Sequence, residues 1–143
     1  MMYRHIFDLD NTLIYTDRLN NISYNYALNA IGLAVIDSHS RITRDTVDLY
    51  YPSLSLLDRK RIIELKQKYF IDNISDTEAN ISLITFLKTL PADSNVLWTS
   101  ADQIRVNSLL NFYDMSNCFC NILFSRKDNI AKDINEICKL FDE

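Results

Sequence analysis

The chain has 143 residues (16.7 kDa), of which 48% are hydrophobic and 24% charged, the makeup of one globular unit with room for a small inserted subdomain and not of a disordered chain. A net charge of -4 and a pI near 5.1 supply no basic field to gather nucleic-acid phosphates, so nucleic acid is not an expected partner. The longest apolar run, Ile31 to Ile36, falls far short of the roughly 20 residues a membrane-spanning helix needs, so no membrane partner is expected either.

The N-terminus meets Asp8 and Asp10 before any long apolar stretch forms. It reads as neither a secretory signal nor a transit peptide, and the expected compartment is the cytoplasm. Tyr3 to Leu9 is a β-branched and aromatic run ending in acidic residues, which predicts a first strand. Leu19, Ile22, Tyr26 and Ala30 then follow helical spacing, with Gly32 placed as a C-terminal glycine, so Asp17 to about Ile31 is expected to be helical. Ile42 to Tyr51 and Ser55 to Phe70 read as two more helices separated by Pro52, the second with a stripe of Ile62, Leu65 and Tyr69.

Ser75-Asp76-Thr77-Glu78 has the pattern of a capping box, predicting a helix through Ile81, Ile84 and Leu87 that stops before Pro91. Asn95 to Trp98 reads as a buried strand, and Ser100-Ala101-Asp102-Gln103 as a second capping box opening a helix with Ile104, Leu109 and Phe112. Phe119 to Phe124 is a third short strand. Asp128 to Phe141 is a final helix whose Ile130, Ile134, Ile137, Cys138 and Phe141 share one face. With one Gly and two Pro against fourteen Asn, turns fall to Asn, Asp and Ser, and a Gly-rich phosphate loop is excluded. Cys118, Cys120 and Cys138 are odd in number and lack zinc spacing, so they are expected to be reduced and mostly buried.

Strands alternating with helices imply right-handed βαβ units and a parallel sheet, with a helical block inserted after the first strand. Ligands of such sheets bind beyond the C-terminal strand ends. Three polar clusters stand there: Asp8/Asp10/Thr12, Thr99/Ser100 and Ser125/Arg126/Lys127. Two carboxylates so close, with the Asp10 carbonyl nearby, suit a hard cation such as Mg2+, making Asp8 and Asp10 the candidate metal ligands. They also suit phosphoryl transfer, with Asp8 attacking phosphorus and Asp10 moving protons. Thr99, before a capped helix, is placed to grip a phosphoryl oxygen, and Lys127 to offset the charge crowded around phosphorus.

Phe7-Asp8-Leu9-Asp10-Asn11-Thr12-Leu13 resembles the first motif, D-x-D-x-T, of the haloacid dehalogenase-like (HAD) superfamily, and the order Asp8, Thr99, Lys127 resembles that family's motifs one to three. The resemblance covers nearly the whole chain. It implies an α/β fold: a Rossmann-like, three-layer parallel core from residues 1–14 and 81–143, with an all-helical type I cap at 15–80. It further implies Mg2+, Thr12, Thr99, Ser100 and Lys127 as substrate-binding residues, and hydrolysis of a phosphomonoester through an aspartyl-phosphate. Trp98-Thr99-Ser100-Ala101-Asp102 is similar to the second motif of the pyrimidine 5′-nucleotidases of that group, which points toward a nucleoside monophosphate or another small phosphomonoester. The family's fourth motif, an acidic group on a fourth strand, is not found before Glu143, so the core reads as truncated, metal binding as weakened and activity as reduced. The alternative reading is a non-catalytic remnant that binds a phosphorylated ligand or a protein partner. Such a core would leave the first strand's edge open, and a homodimer through that edge, or another partner over it, is expected.

The other polar and aromatic residues have plainer readings. Arg59, Lys60, Arg61, Lys66 and Lys68 read as a solvated helix face, and His5 as packed or edge-facing. His39, Tyr24, Tyr26, Tyr50 and Tyr51 read as packing within the helical block, and Trp98 as facing the core.

Overall fold

A computed structural model describes residues 3–142. The chain divides into two compact units: a helical one, Thr16–Thr77, and an α/β one made of the flanking residues up to 15 and from 78 onward. The expected division at 15–80 differs by a few residues because of a strand pair. Ile14–Tyr15 (β2) bonds antiparallel to Glu78–Ala79 (β3), with Ile14 opposite Ala79, so both belong to the α/β unit. Two-residue strands carry no periodicity, and the sequence reading missed them.

In the α/β unit, His5–Phe7 (β1), Asn95–Thr99 (β4) and Asn121–Phe124 (β5) form a parallel sheet in the order β1-β4-β5. The register pairs Phe7 with Leu97 and Thr99 with Phe124, which brings the C-terminal ends of all three strands to one edge. Strand β1 pairs with β4 on one side, and no further strand among the described residues joins its other side. The helices of this unit are Ile81–Thr89 (α4), Gln103–Phe112 (α5) and Ile130–Phe141 (α6). Its core takes Phe7, Leu9, Leu13, Leu87, Val96, Leu97, Val106 and Leu109, all buried, burial that removes apolar area from water at about 25 cal/mol per Å2. This is the parallel α/β arrangement expected.

Both predicted capping boxes shift. Ile74–Asp76 is a 3-10 turn and Thr77 is extended. The cap of α4 is Asn80, whose Oδ1 accepts from the Leu83 N–H at 3.3 Å. Asp102, not Ser100, caps α5, its Oδ1 accepting from the Arg105 N–H at 3.0 Å. In each case the helix starts later than the pattern predicted, and the Asn or Asp directly before its first residue makes the cap.

The apolar face predicted for α6 is only partly used: Ile137 is buried, but Ile130, Ile134 and Cys138 are exposed, and Asp133 is buried in their stead. Cys120 is exposed too and Cys118 half-buried, so the expectation of mostly buried cysteines is corrected. All three are free thiols. Burial pushes the Cys118 thiol above its ordinary range, with Lys88 opposing and Asp114 adding.

The helical unit comprises Asp17–Ala30 (α1), Arg44–Tyr50 (α2) and Leu56–Asp72 (α3) around Tyr24, Ala27, Leu28, Ile36, Ile42, Val47 and Ile62. Gly32, at φ +83°, takes the left-handed turn that ends α1, as its position in the sequence predicted. Between α1 and α2 the chain is irregular, and Asn25 holds it by accepting from the Ile36 N–H and donating to the Ile36 carbonyl. The basic face of α3 is mostly spent locally: Arg59 pairs with Asp48, Lys60 with Glu64 and Lys68 with Asp72, while Lys66 lies over the Tyr24 ring. Tyr26 stacks on Tyr69, and the Tyr51 hydroxyl donates to the Ala34 carbonyl.

Candidate active site at the C-terminal strand ends

The loop after β1 winds around a single carbonyl. Leu9 O accepts from the N–H groups of Thr12 (3.3 Å), Leu13 (3.0 Å) and Ile14 (3.1 Å), and Asn11 takes φ +62° to close the turn. Leu9 and Leu13 are fully buried, so they anchor the loop from below while Asp8, Asp10 and Thr12 stand at its rim. Asn80 holds it from the side, its N–H donating to Leu13 O at 2.8 Å and its Nδ2 to Thr12 O at 3.0 Å. A buried apolar clamp plus backbone bonds thus fixes the acidic tip.

Asp8 is one residue past β1, Thr99 ends β4, and Lys127 is three residues past β5, so the parallel register alone brings them to one edge. Lys127 Nζ donates to Asp8 Oδ1 at 2.9 Å, and Thr12 Oγ1 donates to Asp8 Oδ2 at 3.3 Å. The Asp8 side chain remains 45% exposed and that of Lys127 29%, leaving the carboxylate accessible from solution. Lys127 sits at φ +61°, a left-handed conformation costing a side-chain-bearing residue about 1–2 kcal/mol. Its N–H donates to Ser125 Oγ at 3.0 Å, and its ammonium lies 5.0 Å from the centroid of the Trp98 ring. Trp98 therefore does not simply face the core. It is half-buried, with its Nε1–H donating to Asp133 Oδ2 at 3.0 Å, and Ser125 Oγ donates to the same oxygen at 2.6 Å.

Asp10 is engaged differently. Its Oδ2 accepts from Nη2 of Arg105 on α5, the Arg105 side chain being 7% exposed and that of Asp10 17%. Thr99 is buried, and its Oγ1 accepts from the Ala101 N–H at 3.1 Å, whereas Ser100 is exposed at the bend that follows. Contacts thus join Asp8, Thr12 and Lys127 directly. Asp10 forms a second ion pair beside them, and Thr99 and Ser100 stand on the neighbouring strand end.

The donor chemistry fits a hard divalent cation: two carboxylates two residues apart on a fixed tip, of the kind Mg2+ accepts together with water and phosphate oxygens. Among the described residues no third His, Cys, Asp or Glu joins them in a metal-sized cluster. The sequence reading missed three residues here. Asn80 was signalled by its place just before an apolar helical run. Arg105 stood out as a cation in the first turn of a helix, against the dipole. Asp133 carried no signal, because a lone Asp on an amphipathic helix reads as solvated.

No protein-family model matches the sequence, nor does any curated protein. Solved structures do. CbbY from Rhodobacter sphaeroides in complex with phosphate superposes with a TM-score of 0.79 at 14% identity, over 100% of this chain and 74% of that one. A predicted phosphoglycolate phosphatase from Haemophilus somnus gives 0.78 at 17% identity, over 97% and 72%. A haloacid dehalogenase-like family hydrolase from Streptococcus pneumoniae gives 0.66 at 16% identity, over 96% and 70%. The chain has the fold of the haloacid dehalogenase-like hydrolases.

Proposed function

We propose that the chain is a phosphomonoester hydrolase working through an aspartyl-phosphate on Asp8. One observation carries the reading: Lys127 and Thr12 converge on the two oxygens of an accessible carboxylate at the C-terminal ends of a parallel sheet. In the first half-reaction an Asp8 oxygen bonds to phosphorus, the bond to the substrate's ester oxygen breaks, and that oxygen takes a proton from Asp10. In the second, Asp10 takes a proton from water, the water oxygen attacks phosphorus, and phosphate leaves as Asp8 is restored. Lys127 offsets the charge that builds on the phosphoryl oxygens, and Thr12, Thr99 and Ser100 hold them. The Asp8 carboxylate and the Asp10 backbone carbonyl, which leaves the Asp10 side chain for proton transfer, would hold Mg2+, which would supply positive charge that draws the phosphoryl group to Asp8.

The substrate class proposed is a small phosphorylated metabolite or nucleoside monophosphate. Two things support it: the similarity of residues 98–102 to the nucleotidase motif and the phosphate bound by the CbbY neighbour. The test is Mg2+-dependent release of phosphate from p-nitrophenyl phosphate. Turnover is expected in the wild type and absent in Asp8→Asn, with Asp10→Asn slowed by about 10^2-fold or more. Equal turnover by Asp8→Asn and wild type would contradict the reading. A second copy pairing along the open side of β1 is the partner proposed for that edge. Light scattering that returns a strictly monomeric mass at high concentration counts against it.

A further inference from the structure

Arg105 breaks a local rule. It is the third residue of α5, where the amide dipoles already present positive charge, and it is buried on that helix along with Val106, Leu109 and Leu110. Its side chain is 7% exposed, and a buried cation in such a place is costly unless something specific offsets it. Asp10 offsets it, its Oδ2 accepting from Arg105 Nη2. The Asp102 cap, whose Oδ1 holds the Arg105 N–H at 3.0 Å, fixes the point from which the guanidinium reaches. The backbone of the tip is tied by Leu9 O, which accepts from the N–H groups of Thr12, Leu13 and Ile14, so what the guanidinium adds is the direction of the Asp10 carboxyl group.

We propose that Arg105 is a positioning residue for proton transfer: by gripping one oxygen of Asp10, it aims the carboxyl group at the ester oxygen that leaves phosphorus. The inference rests on the reading of Asp8 as nucleophile and Asp10 as proton carrier, and it names the residue that makes the second effective. As the bond from Asp8 to phosphorus forms and the ester bond breaks, the proton of Asp10 passes to the departing oxygen. Arg105, always charged, neither gives nor takes a proton. The transfer needs donor and acceptor within hydrogen-bond reach, and a misplacement of about 1 Å costs on the order of 10^2-fold in rate. A guanidinium that is itself held in a buried place removes the freedom of the Asp10 side chain to turn away. Lys127 has a different partner, its ammonium donating to Asp8 Oδ1. An oxygen that leaves readily as an anion has little use for the proton, whereas an alkoxide needs it, so Arg105 matters more the poorer the leaving group.

The experiment compares kcat/KM of the full chain, with Mg2+ present, for p-nitrophenyl phosphate, whose nitrophenolate leaves without a proton, and benzyl phosphate, whose alkoxide needs one. This quantity covers the steps through release of the alcohol, so the second half-reaction does not enter. Arg105→Gln is expected to raise the ratio of the first value to the second about tenfold or more over wild type. Arg105→Lys, a point charge without the planar fork, is expected to raise it severalfold. Asp10→Asn should raise it at least as far as Arg105→Gln, and adding Arg105→Gln to Asp10→Asn should raise it no further. A pair that only supports the fold would lower both kcat/KM values together. An unchanged ratio in Arg105→Gln, or a further rise in the double variant, therefore overturns the positioning and leaves Asp8 and Asp10 in their roles. Should Arg105→Gln not fold, Arg105→Lys decides by the same ratio. An unchanged ratio in Asp10→Asn overturns the proton transfer by Asp10 and the positioning with it. Wild type that turns over p-nitrophenyl phosphate alone overturns the positioning, because an aimed acid serves the ester that needs one. Wild type that turns over neither ester overturns the underlying reading as well.

Discussion

Replacing Asp133 by alanine tests how the site is held from behind. Its Oδ2 accepts from Trp98 Nε1 at 3.0 Å and from Ser125 Oγ at 2.6 Å, and the residue is 6% exposed. Both bonds run to one carboxyl oxygen in a buried place, where a donor left unpaired costs about 1–3 kcal/mol. Trp98 and Ser125 are each half-buried and gain partial access to water once the carboxylate is gone, so the lower half of the range applies to each. The expected loss is about 2–4 kcal/mol in unfolding free energy, with Asp133→Asn, which keeps an oxygen acceptor, losing about 1 kcal/mol. Trp98 is the single tryptophan of the chain, so urea unfolding followed by its emission reads the very group that loses its partner. The consequence reaches the site: Ser125 Oγ also holds the Lys127 N–H, and the Trp98 ring lies beneath the Lys127 ammonium. Turnover should therefore fall in Asp133→Ala beyond what the unfolded fraction explains. A stability change within about 0.5 kcal/mol, the range of an ordinary surface substitution, would refute the reasoning.

Two further outcomes follow from the same geometry. Asn80→Ala removes the cap of α4 and the bond to Thr12 O together, so chemical unfolding should show a loss of about 2 kcal/mol, and phosphate release should slow because the acidic tip loses its lateral tie. Cys120 and Cys138, exposed and free, should react first with a thiol reagent at neutral pH, while Cys118, half-buried with its thiol pushed up by burial, labels more slowly and accelerates as pH rises. Mass spectrometry of partly labelled protein checks the order.

Long periodic segments were legible in the sequence, and short or polar features were not. Helix α1 was placed correctly and ends at Gly32 as expected, but of the stripe that predicted it, Leu19, Ile22, Tyr26 and Ala30, only Leu19 is buried, and the inner face is made by Leu19, Tyr24, Ala27 and Leu28 instead. The strands β2 and β3 repeat nothing, and their pairing decides where the α/β unit begins and ends. Cap positions slipped because Ser75 and Ser100 satisfy a pattern that Asn80 and Asp102 satisfy in space. At the candidate site, the strand-end rule anticipated that Asp8, Thr12 and Lys127 would meet, since parallel register carries strand termini to one edge whatever lies between them. The cations and acids that brace them from helices, Arg105 and Asp133, depend on which face of α5 and α6 turns inward. On α6 the expected face was wrong, because the hydrogen bonds of Asp133 to Trp98 and Ser125 bury it while two isoleucines stay exposed.

The most direct measurement is capture of the phosphoryl group on the protein. Quenching the chain in acid during turnover of a phosphomonoester, then digesting it, should yield one peptide carrying an added phosphoryl group that hydroxylamine removes, with the modification on Asp8. A label on any other residue, or rapid turnover with Asp8 unmodified in rapid-quench samples and retained in Asp8→Asn, would contradict the account.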